Sequence, residues 1–278
     1  MSVLGFGPFI GDFESEVVTF RPYIKWISEV SEVPMGKQFL FTHFNRTFMY
    51  DWIPEENIFT AYQQLARDEL EQVGYIHKNF KLKDFNTLIK LFKDNIVKAK
   101  GCTKKDIDLH HLSYVKNTPV YSIFQKSFTP INTGDINIQE DHIGRVVFIP
   151  HESFDTHFQS RLHDYLVDNH DAITIGNVKT GLEWDNVILN YVDYFENGYK
   201  YIVKYITEAK IVICPVSYWS LLANLQGVPV FSFGKNPGLY REDGIYHLDN
   251  KKSMAIAADE ETSVDSMIRM IENFMEKL

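Results

Sequence analysis

The sequence predicts an α/β protein built as two successive halves, each a parallel sheet with helices packed on it. Three observations carry that prediction. Apolar strand patterns alternate with helix-period patterns, a turn-rich segment at 129–144 breaks the alternation once, and residues 211–234 read as a complete strand–helix–strand unit.

The elements follow in order. Val3-Leu4-Gly5-Phe6 is a short buried strand running into Gly7-Pro8-Phe9-Ile10-Gly11-Asp12, a loop made by two glycines and a proline. From 19 to 30, Phe20, Tyr23, Ile24, Ile27 and Val30 recur at helical spacing, with Thr19 the expected N-cap and Pro22 tolerated in the first turn. Gln38-Phe39-Leu40-Phe41-Thr42 is the next strand; helical patterns follow over 58–73 and 85–98, the second stopped by Gly101. Turn chemistry at Thr129-Pro130-Ile131-Asn132-Thr133-Gly134-Asp135 separates two expected domains, residues 1–135 and 144–278. In the second, strands at 145–150 and 172–176 alternate with helices at 158–167 and 199–208. Then come a strand at 210–214, a turn at 215–219, a helix at 220–226 ended by Gly227, a strand at 228–233 and a closing helix at 264–275.

Composition narrows the class. The chain has 278 residues, 45% of them hydrophobic, which excludes wholesale disorder. It has no apolar run of the ~20 residues that cross a bilayer. The N-terminus lacks the basic stretch of a signal peptide, and Cys102 and Cys214 form no disulfide or metal framework, so a cytoplasmic location is expected. A net charge of −9 argues against a general polyanion binder. The charge is uneven: residues 1–139 carry 16 basic and 16 acidic side chains, residues 140–278 carry 12 and 21. Within the neutral half, residues 78–126 hold 11 Lys against four Asp, either a solvated helical face or a platform for an anionic acceptor.

Residues 211–234, Ile-Val-Ile-Cys-Pro-Val-Ser-Tyr-Trp-Ser-Leu-Leu-Ala-Asn-Leu-Gln-Gly-Val-Pro-Val-Phe-Ser-Phe-Gly, resemble the donor-domain signature of heptosyltransferase-like GT-B glycosyltransferases. Phe9-Ile10-Gly11-Asp12 with Pro22 resembles that family's Gly-Asp loop and helix, and Pro150-His151-Glu152-Ser153 its first donor-domain loop. The resemblance touches about a fifth of the chain, in the right order. It implies two Rossmann-like domains facing across a cleft, the first on the acceptor side and the second binding a nucleotide-sugar donor. It also implies inverting transfer without a metal or other cofactor, from a donor expected to be UDP-linked. The family's Asp-Thr-Gly turn and following His are replaced by Val216, Ser217, Tyr218 and Leu221, which leaves the sugar open.

By that resemblance Asp12 is the general base; from the residues alone it is a carboxylate in a Gly-flanked loop at a strand end, equally a turn or capping Asp. Glu14 and Glu16 are neighbouring substitutes. The helix start at Ser220 suits a diphosphate, with Ser217 adding a hydroxyl and Tyr218 or Trp219 stacking on a base or sugar; Trp219 as packing is the alternative. His151 and Ser153 are phosphate candidates on the partner loop, and Arg21 and Lys235 are nearby cations. Asp106-Ile107-Asp108 before His110-His111 has the spacing of a metal-binding Asp-x-Asp, but follows Lys104-Lys105 and reads as a solvated turn.

The acceptor has two readings. One is lipopolysaccharide or another glycan. The other is 5-hydroxymethylcytosine in duplex DNA, because the chain, rich in Phe, Tyr, Lys and Asn, resembles proteins of T4-like phages, some of which attach glucose or arabinose to that base. Residues 78–126 would then carry the phosphate contacts, Phe80, Tyr114 or Tyr121 would fill the gap left by a flipped base, and the location would be the host cytoplasm. No membrane partner is expected. A non-catalytic nucleotide-sugar-binding protein and a sugar-nucleotide epimerase are the competing classes.

Overall fold

The computed structural model describes residues 2–9, 13, 16–60, 82–111, 128–134, 136–151, 154–175, 187–189, 198–235, 252–259 and 261–278. The chain separates into two compact units, Met1–Phe128 and Thr129–Leu278.

The described elements of the first unit are β1 (Val3–Phe6), α1 (Arg21–Val30), β2 (Gln38–Thr42), β3 (Ile58–Thr60), α2 (Leu82–Lys100) and β4 (Ile107–His110). Its strands are all parallel, in the order β3-β2-β1-β4. Alternate strand residues point to one face, so Val3, Phe39, Phe41, Ile107 and Leu109 form a core with Phe92 and Ile96 of α2. Gly5 lies on that face because a Cβ there would meet the Leu109 side chain at 2.9 Å and Phe92 at 3.3 Å.

Two expectations are corrected in this unit. Ile58-Phe59-Thr60 is a strand, not the start of a helix: it pairs along β2 with Ile58 opposite Leu40. Three apolar-flanked residues carry too little periodicity to separate the two, and pairing decides. The rest of 58–73 lies outside the described residues. Thr19 is not a helix N-cap either. A wide π-helical turn over Glu16–Phe20 precedes α1, Thr19 is buried within it, and Pro22 falls in α1's first turn as expected.

The second unit contains β5 (Val146–Phe148), α3 (Thr156–His170), β6 (Ile173–Ile175), β7 (Val187–Leu189), α4 (Gly198–Thr207), β8 (Ile211–Pro215), α5 (Tyr218–Leu225), β9 (Val230–Gly234), β10 (Met254–Ala257) and α6 (Val264–Met275). The six described strands are all parallel, in the order β10-β9-β8-β5-β6-β7. One face packs Val146, Phe148, Ile211, Ile213, Phe231 and Phe233 against α3 and α6 through Leu162, Leu166, Met267 and Ile271. Asp155 caps α3 by accepting the Phe158 N–H at 2.7 Å, and Ser263 caps α6 through the Ser266 N–H at 3.2 Å. The turn-rich segment is tied to this unit: the buried Ile131 donates its N–H to Gln226 Oε1 and Gly144 donates to the Glu208 carbonyl. Neither β7 nor β10 stands out in the sequence. Met254-Ala255-Ile256-Ala257 is made largely of good helix formers, and its pairing with β9 overrides that preference.

Candidate functional site

In a doubly wound parallel sheet, ligands bind beyond the strand C-termini where the chain departs in opposite directions from neighbouring strands. In the second unit that point lies between β5, which leads to β6 on one side, and β8, which leads to β9 on the other. Hydrogen bonds from Ile149 N–H to the Ile213 carbonyl (3.0 Å) and from Val216 N–H to the Phe233 carbonyl (2.7 Å) carry the pairing to the strand ends. His151 and Ser217 therefore leave the sheet from adjacent strands.

Ser217 is the extended N-cap of α5 and is 7% exposed. Its N–H donates to Ser220 Oγ at 3.3 Å, and Ser220 Oγ donates to the Ser217 carbonyl at 2.6 Å. The fully buried Ser220 thus closes the cap and has no proton to offer a ligand. The two serines are arranged as a capping box, yet Ser217 Oγ, buried beside the helix start, makes no contact of full hydrogen-bond geometry among the described residues. The helix begins two residues earlier than expected, so Tyr218 (half-buried) and Trp219 (5% exposed) lie in its first turn rather than in a preceding loop. The first-turn N–H groups of any helix lack intrahelical acceptors and face an anion with a partial positive charge.

The loop after β5 is held by a residue that no sequence motif singles out. Gln159, wholly buried on α3, accepts the His151 N–H at 2.9 Å and donates to the carbonyls of His151 and Phe154, both at 3.0 Å. His151 is half-buried, Lys235 is exposed immediately after β9, and Ser153 lies outside the described residues. Cys214, at the end of β8, is buried, and burial pushes its thiol well above the usual range, so it offers no nucleophile.

In the first unit the corresponding switch point lies between β1 and β4, where Gly7 N–H donates to the His110 carbonyl at 2.7 Å. Asp12 and Glu14 lie outside the described residues; the chain on either side is anchored by the buried Phe9 and Phe13. Glu16 is not a spare base. Its buried carboxylate accepts from Thr42 Oγ1 (2.7 Å), Tyr50 OH (2.5 Å) and Arg46 Nη1 (2.6 Å), which stitches the π turn to the end of β2 and the segment after it. Burial and the Glu16 carboxylate raise the Tyr50 phenol well above its usual value and keep it a donor. Arg21 is likewise committed, donating Nε to the Met49 carbonyl at 2.6 Å with its guanidinium 5.2 Å from the centres of the Trp52 and Phe128 rings. Burial lowers its pKa to about 10, which leaves it charged at neutral pH.

The Asp-x-Asp spacing resolves into two separate structures. Asp106 accepts from the Thr103 N–H (2.8 Å) and hydroxyl (2.6 Å) and caps a short turn, while Asp108 lies on β4, 3.4 Å from His110 Nε2. His110 Nδ1 meets Tyr23 OH at 2.9 Å. Among the described residues no group of three or more His, Cys, Asp or Glu is placed to hold a metal ion, and no helix is long and apolar enough to cross a membrane.

No protein-family model and no curated protein matches the sequence. Solved structures do match. ADP-heptose lipopolysaccharide heptosyltransferase II of E. coli aligns over 100% of this chain and 99% of its own at 11% identity, with a TM-score of 0.51. E. coli heptosyltransferase WaaC, solved with ADP, aligns over 99% and 100% at 12% identity, with a TM-score of 0.52. The iron-containing dodecameric glycosyltransferase TibC of enterotoxigenic E. coli aligns over 94% of this chain and 64% of its own at 9% identity, again with a TM-score of 0.52. The fold is GT-B. At these identities the likeness is one of architecture, two Rossmann-like domains. The GT-B likeness does not single out Gln159 or the Glu16 cluster. Neither has a sequence signal, since their partners are backbone groups or lie 26 to 34 residues away.

Proposed function

We propose that this protein is a nucleotide-sugar-dependent glycosyltransferase that inverts the transferred sugar. The observation that carries the reading is Ser217 Oγ: a buried hydroxyl in a capping box with Ser220, without a contact of full hydrogen-bond geometry among the described residues, at a helix N-terminus and at the topological switch point of a parallel sheet. In a capping box the hydroxyl oxygen faces the N3 N–H as an acceptor, which leaves its proton to donate to a ligand oxygen. A donor diphosphate fits that position: the α5 terminus and Ser217 stabilise the negative charge that grows as the bond from the anomeric carbon to phosphate breaks. His151, Ser153 and the ring of Tyr218 or Trp219 complete the donor site. In this reading Asp12 takes the proton of the acceptor hydroxyl, whose oxygen attacks the anomeric carbon on the face opposite the departing nucleotide. WaaC was solved with ADP, which makes an ADP-linked donor the first to test, with the expected UDP-linked donor beside it.

The acceptor reading favoured by the named neighbours is a glycan hydroxyl. The second, 5-hydroxymethylcytosine in duplex DNA, is favoured by one described feature, the exposed Lys90, Lys98 and Lys100 on α2 with Lys104 and Lys105 just beyond. Incubation with a panel of nucleotide sugars and both acceptor classes, read by mass spectrometry, separates them. Asp12→Asn is expected to lower kcat by about 10²–10⁴-fold while donor binding holds. An unchanged rate in that variant removes Asp12 from the mechanism. Donor binding without transfer to any acceptor would instead indicate a binding protein.

A further inference from the structure

We propose that Gln159 is a positioning residue of the donor site, setting nucleotide affinity by fixing the backbone of the loop that leaves β5. This rests on the donor-site reading above and extends it to a residue that touches no ligand. The geometry is a three-bond clamp: one buried side-chain amide satisfies both the N–H and the carbonyl of His151 and the carbonyl of Phe154. A primary amide has one acceptor oxygen and a two-donor nitrogen. Its orientation is therefore dictated, with Oε1 on the His151 N–H and Nε2 spending both protons on the two carbonyls. Gln159 takes the place of the next strand as hydrogen-bonding partner for His151. Strand β5 stops at Phe148, and the chain turns out of the sheet just where the switch point needs a loop.

The clamp is itself anchored. Gln159 lies in the first turn and a half of α3, whose start is capped by Asp155 on the Phe158 N–H, and Phe154 and Phe158 pack edge-on at 5.0 Å. The loop between the end of β5 and the start of α3 is thereby held at two points, His151 and Phe154. Binding a diphosphate on a loop already fixed avoids the ordering cost that a free loop pays. Loss of the clamp is felt in donor affinity before it is felt in chemistry, because the acceptor proton and the base lie in other elements.

The test uses two variants of the full chain and ADP and UDP as probes, with Kd from calorimetry between about pH 5.5 and 9 expressed relative to wild type at each pH. Gln159→Leu removes all three bonds, and donor affinity is expected to fall about 10-fold, with KM for the donor raised and kcat nearly unchanged. Gln159→Glu is the more searching variant. A neutral carboxyl still donates to one carbonyl, but its carboxylate faces two carbonyl oxygens and repels both. Protonation favours the clamped loop, so relative affinity is expected to be nearest wild type at low pH and to fall as pH rises through the carboxyl's pKa, whereas Gln159→Leu shows no such trend. If Gln159→Leu proves too unstable to measure, Gln159→Glu at low pH is the folded comparison. A purely structural residue would lower the melting temperature in both variants and leave relative Kd flat. That result, with Ser217→Ala still weakening binding, overturns the role of Gln159 alone. Failure of the wild-type chain to bind either nucleotide overturns the donor-site reading, and this role with it.

Discussion

Glu16 accepts hydrogen bonds at 2.5, 2.6 and 2.7 Å, and Ser217 Oγ makes none of full geometry among the described residues, although both side chains are buried. A satisfied buried carboxylate holds structure, and removing one partner of such a pair costs about 3–5 kcal/mol because the other charge is stranded. An unsatisfied buried hydroxyl is a candidate for ligand contact. Ser217 was visible in the sequence because strand, small-residue turn and helix are contiguous. The sequence offered Glu16 only as a substitute base, and its structural role was not visible, since Thr42, Arg46 and Tyr50 reach it only in the folded chain. His43 sits beside this cluster, and burial together with the Arg46 charge holds its imidazole well below the usual value. The sign follows. The unfolded chain takes up a proton as pH falls below about 6.5 while folded His43 stays neutral, so stability is lost downward from there toward the depressed folded pKa. The loss should be about 1 kcal/mol per pH unit in that window. Melting temperatures measured from about pH 7.5 to 5 should fall for wild type and fall less steeply for His43→Gln; parallel curves would remove His43 from the account.

At the level of elements, helices with separable caps and strands flanked by turns were legible. The exceptions share a cause. Ile58–Thr60, Val187–Leu189, Met254–Ala257 and Ile107–His110 are strands of three or four residues whose identity depends on a neighbour to pair with. The N-terminus of α5 lies two residues before the expected Ser220 because Ser217 takes the extended cap conformation. Its other end is firmer. Gly227 has φ +84°, and no atom lies within 4 Å of the place a Cβ would take, so only the backbone opposes a side chain there. Gly227→Ala should destabilise by about 1–2 kcal/mol. Gly36, which has equal space and no positive φ, is the control: Gly36→Ala should be neutral or stabilising by about 0.4–1 kcal/mol. Denaturant midpoints check both. Equal effects at the two positions would mean that backbone conformation does not decide the cost.

Across the whole molecule a parallel sheet with packed helices occurs twice with unequal charge, residues 1–139 being neutral and residues 140–278 carrying the entire −9. The duplication was legible from alternating patterns on either side of one turn-rich segment, but the acceptor was not, since charge placement along a chain does not fix a binding surface. The charge split nevertheless yields a sign that separates the two acceptor readings. A nucleoside diphosphate entering the acidic half is repelled at long range and attracted at contact by the α5 terminus. Salt shortens the Debye length from about 30 Å at 0.01 M to about 8 Å at 0.15 M and screens the first effect more than the second. Donor affinity should therefore hold or rise as salt increases. At a ligand concentration of 100 Kd the bound state gains about 2.7 kcal/mol, and with roughly 2–4 °C per kcal/mol for a domain of this size the melting temperature should rise by about 5–10 °C. Duplex DNA held by the lysines of α2 must show the reverse, because each neutralised phosphate releases a counterion and affinity falls steeply with salt. Thermal shift and fluorescence anisotropy over a salt range of about 0.02 to 0.2 M read both signs on one preparation. A donor shift that survives salt with no salt-sensitive duplex binding leaves the glycan acceptor. Duplex binding that vanishes with salt, and is lost when Lys90, Lys98 and Lys100 are changed to Glu, favours DNA. A donor shift that collapses with salt would show that the acidic half does not govern the approach of the nucleotide.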